Sequence, residues 1–325
     1  MLYYISFRKS AIVLFLLSFL LISCNSSDDV PIQQVDDSDL LSDLQLQLVQ
    51  SQAQKQQNIY YFGFDLRASP QEDAAQYLPF LSYLEGVTGY HFKLHFTPKN
   101  STAADDLGQN ITQFSAMGAT SFLYAQSRYG ADSLVRGLNI YGKAEYQSVF
   151  VVRPNSPIKT IKDISGKALA FGSRDSTQGH LIPRIMLTEA GIDLSKLSVY
   201  SYTGSHQNCA EAVVSGNYDV CGMQDQLAKS LVTRGQLKII HSSRYYPSSG
   251  IVVNKYVPAD VTERVRQAML DFDPQGKHSQ GLYNWDKTEM PRGFVAAKNS
   301  DYNDLRQWSI QLGFLHETYG QEKSK

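Results

Sequence analysis

Ala170-Phe171-Gly172-Ser173-Arg174-Asp175-Ser176-Thr177-Gln178-Gly179-His180-Leu181-Ile182-Pro183 changes character partway along its length. Ala168 to Phe171 is an apolar run of strand length, and a polar, hydroxyl-rich stretch follows it. From Gly179 onward Leu181, Ile182, Ile185, Met186 and Leu187 recur at helical spacing. Pro183 falls in the first helical turn, where the N–H it lacks has no partner to lose. A strand that runs through a loop into a helix presents unpaired N–H groups and the positive end of the helix dipole at the junction, a ready site for an anion. Ser176 and Thr177 can add directed hydroxyls there, or can act as ordinary helix caps. Local chemistry allows both readings.

The same alternation extends in both directions. Ile59 to Phe64 reads as a strand, Asp73 to Leu84 as a helix stopping near Gly86, and Tyr90 to Phe96 as a strand with Phe92, Leu94 and Phe96 on one face. Further strands are expected at Phe114 to Met117, Tyr146 to Arg153, Leu197 to Tyr200, Val220 to Met223, Lys238 to His241 and Ile251 to Asn254, with helical patterns between them. Alternation of this kind predicts an α/β protein with largely parallel sheets covered by helices on both faces. Two β-rich segments, Gln147 to Arg153 and Gly250 to Asn254, read as crossovers bracketing a self-contained αβ unit. A chain that leaves one lobe, builds a second and returns makes two lobes with a cleft between them, and closure about the connecting strands captures a ligand. The expected boundaries are lobe one at 59–148 and 251–318, lobe two at 149–250, and a tail at 319–325.

At the N-terminus Arg8 and Lys9 precede an apolar run, Ala11 to Ile22, that suits a signal peptide and is short for a membrane span. Leu21-Ile22-Ser23-Cys24 resembles the lipobox of bacterial lipoproteins, which implies cleavage after residue 23 and a lipid-anchored Cys24. Residues 24–58, rich in Ser, Asp and Gln, read as a tether in which Leu40, Leu41, Leu44, Leu48 and Val49 fall at helical spacing. Removing residues 1–23 takes away Arg8 and Lys9 and no acidic residue, so the formal charge of −1 falls by two, to −3. With no basic excess left, nucleic acid is excluded as a partner. Cys209 and Cys221 remain in a compartment that permits disulfides; they can pair or stay as buried thiols, and no His or third Cys stands at metal-ligand spacing.

Two motifs together carry a family resemblance. Phe171 to Pro183 resembles the motif of the phosphate-, phosphite- and phosphonate-binding proteins of ABC importers, in which a strand leads into Ser-Thr-Ser-Gly, a bulky residue, two aliphatics and Pro. Here it reads Ser176-Thr177-Gln178-Gly179-His180-Leu181-Ile182-Pro183. Tyr202-Thr203-Gly204-Ser205-His206, followed by Gly216 and Asp219 before the next strand, resembles the family's Gly-Ser-His helix start. Arg153, Ile161 to Lys167 and Pro247 fall where the family enters lobe two and returns from it. The resemblance spans about Ile59 to Asp271 and implies the type II periplasmic-binding-protein fold: two mixed, mostly parallel sheets joined by two hinge strands. It implies a ligand set of Ser176, Thr177 and the backbone of Gln178 and Gly179, with His206 donating a ring N–H. Further candidate ligand residues are Asp65, Thr120, Ser121 and Phe122 in lobe one and Ser249 at the end of lobe two.

Departures from the family concentrate in lobe one. Lys99-Asn100-Ser101 and Gly118-Ala119-Thr120-Ser121-Phe122 stand where the family carries tyrosines, and Pro247-Ser248-Ser249-Gly250 lacks the acidic residue of aminoalkylphosphonate binders. Asp65, Gln224 or Asp225 are the candidates to compensate. The resulting expectation is a monomeric, exported, lipid-anchored solute-binding protein without cofactor or metal, delivering a small phosphorus oxyanion or phosphonate to an ABC permease. A ligand-sensing receptor of the same fold is the alternative. A hydrolase built on Ser176, His206 and Asp219 is rejected, because no Gly-x-Ser-x-Gly elbow is present.

Overall fold

A computed structural model describes residues 58–67 and 69–315. The signal peptide, Cys24, the tether up to residue 57 and the tail at 319–325 lie outside the described residues. Lobe one begins with β1 (Ile59–Phe64), α1 (Pro70–Thr88), β2 (His91–Leu94), α2 (Ala103–Gly108), β3 (Phe114–Met117), α3 (Ala119–Tyr129) and β4 (Asp132–Gly137). A short β5 (Glu145–Tyr146) leads to lobe two, which holds β6 (Ser148–Val152), β7 (Ala168–Phe171), α4 (Ile182–Glu189), β8 (Val199–Tyr202), α5 (His206–Val214), β9 (Val220–Gln224), α6 (Asp225–Thr233) and β10 (Lys238–Ser242). The return through β11 (Tyr246–Pro247) reaches β12 (Gly250–Val253), α7 (Ala259–Leu270), β13 (Phe294–Ala296) and α8 (Asn303–Gln311).

Helix α1 shows how local chemistry sets an element and its neighbours. Ser69 caps it, its Oγ accepting the Glu72 N–H at 3.2 Å, and Pro70 occupies the first turn. The helix passes through Gly86, beyond the expected stop, and ends at Gly89, whose φ of +75° is the left-handed termination that glycine adopts without a Cβ penalty. Its buried face, Gln76, Tyr77, Phe80, Leu81 and Leu84, repeats at three and four residues and packs on Phe62 and Phe64 of β1.

The sheet of lobe one has the order β13–β4–β12–β3–β1–β2, with β1 parallel to β2 and β3, and β12 antiparallel to β3 and β4. Lobe two has the order β10–β6–β9–β7–β8, with β7 parallel to β8 and β9. The segments read as crossovers, 147–153 and 250–254, lie largely inside these sheets as β6 and β12. The bridge itself is the antiparallel pair β5 and β11, in which Tyr146 faces Tyr246 and Glu145 faces Pro247. All five residues of β6 are buried, and an uninterrupted apolar run looks alike whether it is a bridge or the middle of a sheet. Strands β4 and β13 lie outside the strands expected from the sequence; Asp132, Ser133 and Arg136 interrupt the apolar signal of β4. A disulfide joins Cys209 on α5 to Cys221 on β9, with a Cα separation of 5.7 Å, and fastens the helix that carries His206 to the sheet. One apolar core crosses the lobes. Phe122 and Tyr302 of lobe one pack at 4.8 Å, and Phe314, just beyond α8, lies 4.6 Å from the ring of His180 in lobe two.

Candidate ligand-binding site

Because β1, β3, β7, β8 and β9 run toward the seam between the lobes, the loops at their carboxyl ends wall a cleft of about 630 Å³. In lobe two the loop after β7 enters its helix through a wide turn. His180 and Leu181 both donate to the Ser176 carbonyl, at 3.0 and 3.1 Å, and the Ile182 N–H donates to the Thr177 carbonyl. This is a π-type turn, a form found frequently at functional sites. Ser176 is its cap, Oγ accepting the Gly179 N–H at 2.9 Å, so the Gly179 amide is already committed. The first amides of the turn, at Thr177 and Gln178, have no acceptor within it. The Gln178 side chain turns away, its Nε2 donating to the Gln147 carbonyl at 2.7 Å, which leaves only its backbone to the cleft.

Thr177 reaches across the seam. Its Oγ1 accepts the Thr120 N–H at 2.9 Å and lies 3.1 Å from the Thr120 hydroxyl, at the start of α3, where Gly118 offers no capping side chain. His206 opens α5 behind its own cap Ser205, whose Oγ accepts the Asn208 N–H at 3.0 Å. The imidazole lies against glycine backbone: a Cβ added to Gly179 would sit 3.0 Å from its Cε1, and one on Gly172 would sit 3.7 Å from its Nδ1. Nδ1 is buried with no hydrogen-bond partner among the described residues. Burial lowers the His206 pKa to about 4, so near neutral pH the ring is uncharged and carries one N–H to donate. His180 is also held neutral by burial, at about 4, but its nitrogens are engaged: Nδ1 meets the Arg174 carbonyl at 2.7 Å and Nε2 the Tyr202 hydroxyl at 3.0 Å. It pins the loop rather than facing the cleft.

Lobe one contributes charge. Arg67 pairs with Glu289, their side chains 22% and 18% exposed, and Ser249 supports the Glu289 carboxylate. Asp65 accepts the Gly118 N–H at 2.9 Å and a hydrogen bond from Ser121. Tyr146, from the bridge, has its phenol pushed up by burial and lies beside Thr177. Asp65, Ser121, Ser249, Ser176, Thr177, Gln178 and His206 therefore meet in one cleft. Phe122 does not line it, being buried against Tyr302, and Thr120 acts by holding Thr177. Of the compensating candidates, Gln224 lines the cleft, whereas Asp225 pairs with Lys229 at 2.7 Å. Asp219 accepts the Ala168 N–H at 3.0 Å and lies 3.8 Å from Arg153, so it does not complete a triad with Ser176 and His206. Sequence reasoning missed Arg67, Tyr146 and Glu289. The loop Asn284 to Met290 carries no periodic pattern, and only the fold brings it to the seam.

A family model described as an ABC transporter phosphonate periplasmic substrate-binding protein matches residues 62–302. The phosphonates-binding periplasmic protein of Escherichia coli (strain K12) is 26% identical over 230 residues, covering 68% of this chain and 67% of that one. The probable ABC transporter phosphite binding protein PhnD1 of Prochlorococcus marinus (strain MIT 9301) is 26% identical over 269 residues, covering 77% of this chain and 82% of that one. The solved structure of PhnD1 from Prochlorococcus marinus (MIT 9301) in complex with methylphosphonate has a TM-score of 0.70 at 18% identity, covering 80% of this chain and 100% of that chain. That likeness establishes the two-lobed α/β periplasmic-binding-protein fold.

Proposed function

Because the chain belongs to the phosphonate periplasmic substrate-binding protein family of ABC transporters, and is thus not an enzyme, we propose that it captures a phosphorus oxyanion or phosphonate in the seam between its lobes and hands it to a permease. The observation that carries this reading is the meeting of Thr177 with the start of α3, beside an unpartnered His206 nitrogen. The head of the lobe-two turn, the Thr177 hydroxyl and a neutral imidazole line one cleft, a donor set suited to the oxygens of a small tetrahedral anion. An arriving oxyanion accepts the Thr177 hydroxyl proton while Thr177 Oγ1 goes on accepting from Thr120, accepts from the amides at the head of the lobe-two turn, and draws the lobes together about β5 and β11. Ligand bound only by the folded protein adds stability of about 2.7 kcal/mol at a hundred times its Kd. Phosphate, phosphite, methylphosphonate and 2-aminoethylphosphonate are therefore each expected to be visible as a rise in melting temperature if bound. A panel in which no phosphorus oxyanion raises it would sink the reading.

The anchor belongs to the same proposal. The lipobox at Leu21 to Cys24 supports a diacylglyceryl-modified N-terminus that holds the binding lobes near the membrane carrying the permease, and no helix among the described residues is long and apolar enough to cross a membrane. Cys24→Ser is expected to move the protein to the soluble fraction or to leave its signal uncleaved. A variant that still sediments with membranes at mature size would remove the anchor from the account.

A further inference from the structure

Arg67 and Glu289 meet end to end in the lobe-one wall, and each keeps part of its hydrogen-bonding capacity unspent. One guanidinium nitrogen, Nη1, contacts one carboxylate oxygen, Oε1. Arg67 Nε and Nη2 and Glu289 Oε2 are buried without a hydrogen-bond partner among the described residues. Nε and Nη2 form the edge of a guanidinium that takes a carboxylate through two parallel bonds. Arg266 uses the same two atoms in this way on Glu263, at 2.9 Å each. A buried ion pair repays its desolvation only when its remaining protons and lone pairs are also satisfied, and here they are not. The Tyr77 phenol lies beside the guanidinium without meeting either free nitrogen. Both partners stand on fixed backbone: the Arg67 N–H donates to Asp73 Oδ2 at 2.9 Å, and beside Glu289 the Met290 carbonyl accepts the Trp285 indole N–H at 2.9 Å. Against the burial that raises it, Arg67 and Ser249 hold the Glu289 carboxyl below its ordinary range, so it is ionised near neutral pH.

The pair lines the same cleft as the lobe-two turn, and both of its charges act on the His206 ring. A phosphorus group seated in lobe two therefore leaves the rest of its molecule facing Arg67 and Glu289. Charge decides what that remainder can be. A carboxylate alone would add negative charge to a wall that already holds Asp65, Glu72, Asp73 and Asp175. An ammonium alone would meet the Arg67 guanidinium. A zwitterion adds no net charge and answers both unspent partners at once. We infer that the Arg67–Glu289 pair is a subsite for an α-amino-acid head group, Arg67 Nε and Nη2 donating to its carboxylate and Glu289 Oε2 accepting from its ammonium. The ligand class is then an amino acid whose side chain ends in a phosphorus oxyanion. A cleft of about 630 Å³ has the size of sites that enclose whole organic molecules.

This inference rests on the capture reading, and the test separates the two. Four ligands are titrated calorimetrically into the full chain: methylphosphonate, 2-aminoethylphosphonate, 3-phosphonopropionate and 2-amino-3-phosphonopropionate. The second lacks the carboxylate, the third lacks the ammonium, and the fourth carries both. The parent is expected to bind the fourth roughly 10- to 150-fold more tightly than either the second or the third, the worth of a hydrogen bond to a charged group. In the double variant Arg67→Met with Glu289→Gln, which removes both charges together, the ratio of its affinity to that for methylphosphonate is expected to shrink by about tenfold or more. A ratio unchanged by the double variant overturns the inference, whether both affinities hold or both fall together; in the second case the pair serves the phosphorus group itself. A parent that binds methylphosphonate but holds 2-aminoethylphosphonate or 3-phosphonopropionate as tightly as the amino acid also overturns it, and leaves phosphonate capture intact. Failure of the parent to bind any phosphorus oxyanion overturns both readings. Should the double variant not fold, the four parent affinities alone decide, by the same order of preference.

Discussion

The two walls of the cleft are built by different means. Lobe two offers backbone amides at the start of a turn, hydroxyls on adjacent residues and a neutral imidazole, drawn from two short stretches around Ser176 and His206. Lobe one offers charged side chains, Asp65, Arg67 and Glu289, gathered from ends of the chain far apart in sequence. Backbone donors accept almost any oxyanion, because every tetrahedral anion presents oxygens to them. Carboxylates and a guanidinium discriminate, because each suits some ligand charges and protonation states and opposes others. On the proposed function, the division assigns the capacity to bind an anion to lobe two and the choice of which anion to lobe one.

The sharpest way to break this comparison is to remove a charge from the lobe-one wall. Arg67→Met leaves the Glu289 carboxylate, 18% exposed, without its cation. Removing one partner of a buried ion pair costs about 3–5 kcal/mol, since the other charge stays desolvated and uncompensated. Chemical denaturation should show a loss of that order, and adding Glu289→Gln should recover part of it by neutralising the stranded group. A single variant as stable as the parent would mean that the pair is effectively solvated, and the contrast between a charged wall and a backbone wall would lose its energetic content.

The same contrast explains how much of the site is legible in the sequence. Lobe two was legible because its site is contiguous: the strand, the hydroxyl-rich loop and the helix start lie within Ala168 to Pro183, and local periodicity and capping chemistry act over such distances. Ser121 and Ser249 lie in turns matched to the family pattern and Asp65 is the compensating candidate after the first strand; all three line the cleft, whereas Phe122 does not. Its ring found a better partner in Tyr302 and joined the core that crosses the lobes. Glu289 and Arg67 were invisible because an isolated charged residue in an aperiodic loop ordinarily signals a solvated surface. Only the return of the chain through β12 and α7 makes the two a buried pair. The hinge was misplaced for a related reason: β5 and β11 are two residues each, too short for period-two alternation to register.

A smaller effect tests the lobe-two wall, and it turns on two neighbouring hydroxyls with different tasks. Ser176 Oγ accepts the Gly179 amide within its own turn, whereas Thr177 Oγ1 accepts the Thr120 amide across the seam. Ser176→Ala removes a cap and is expected to cost about 1 kcal/mol of unfolding stability. Thr177→Ala removes the acceptor of the Thr120 amide and hydroxyl across the seam, so the free protein should also lose about 1 kcal/mol of stability, and affinity is the readout that separates the two hydroxyls. The same substitution withdraws a hydroxyl from the anion in a closed cleft, where a hydrogen bond to a charged group contributes about 1.5–3 kcal/mol, and affinity for the best ligand of the phosphorus panel should fall roughly 10- to 150-fold. His206→Ala should follow the Thr177 pattern in affinity, because its Nδ1 has no partner among the described residues and stands free to serve a ligand. Calorimetric titration beside melting curves for the three variants separates the roles. If Thr177→Ala and His206→Ala both bind as tightly as the parent, the hydroxyl across the seam is a structural tie alone, and the binding capacity proposed for lobe two must be sought elsewhere in the cleft.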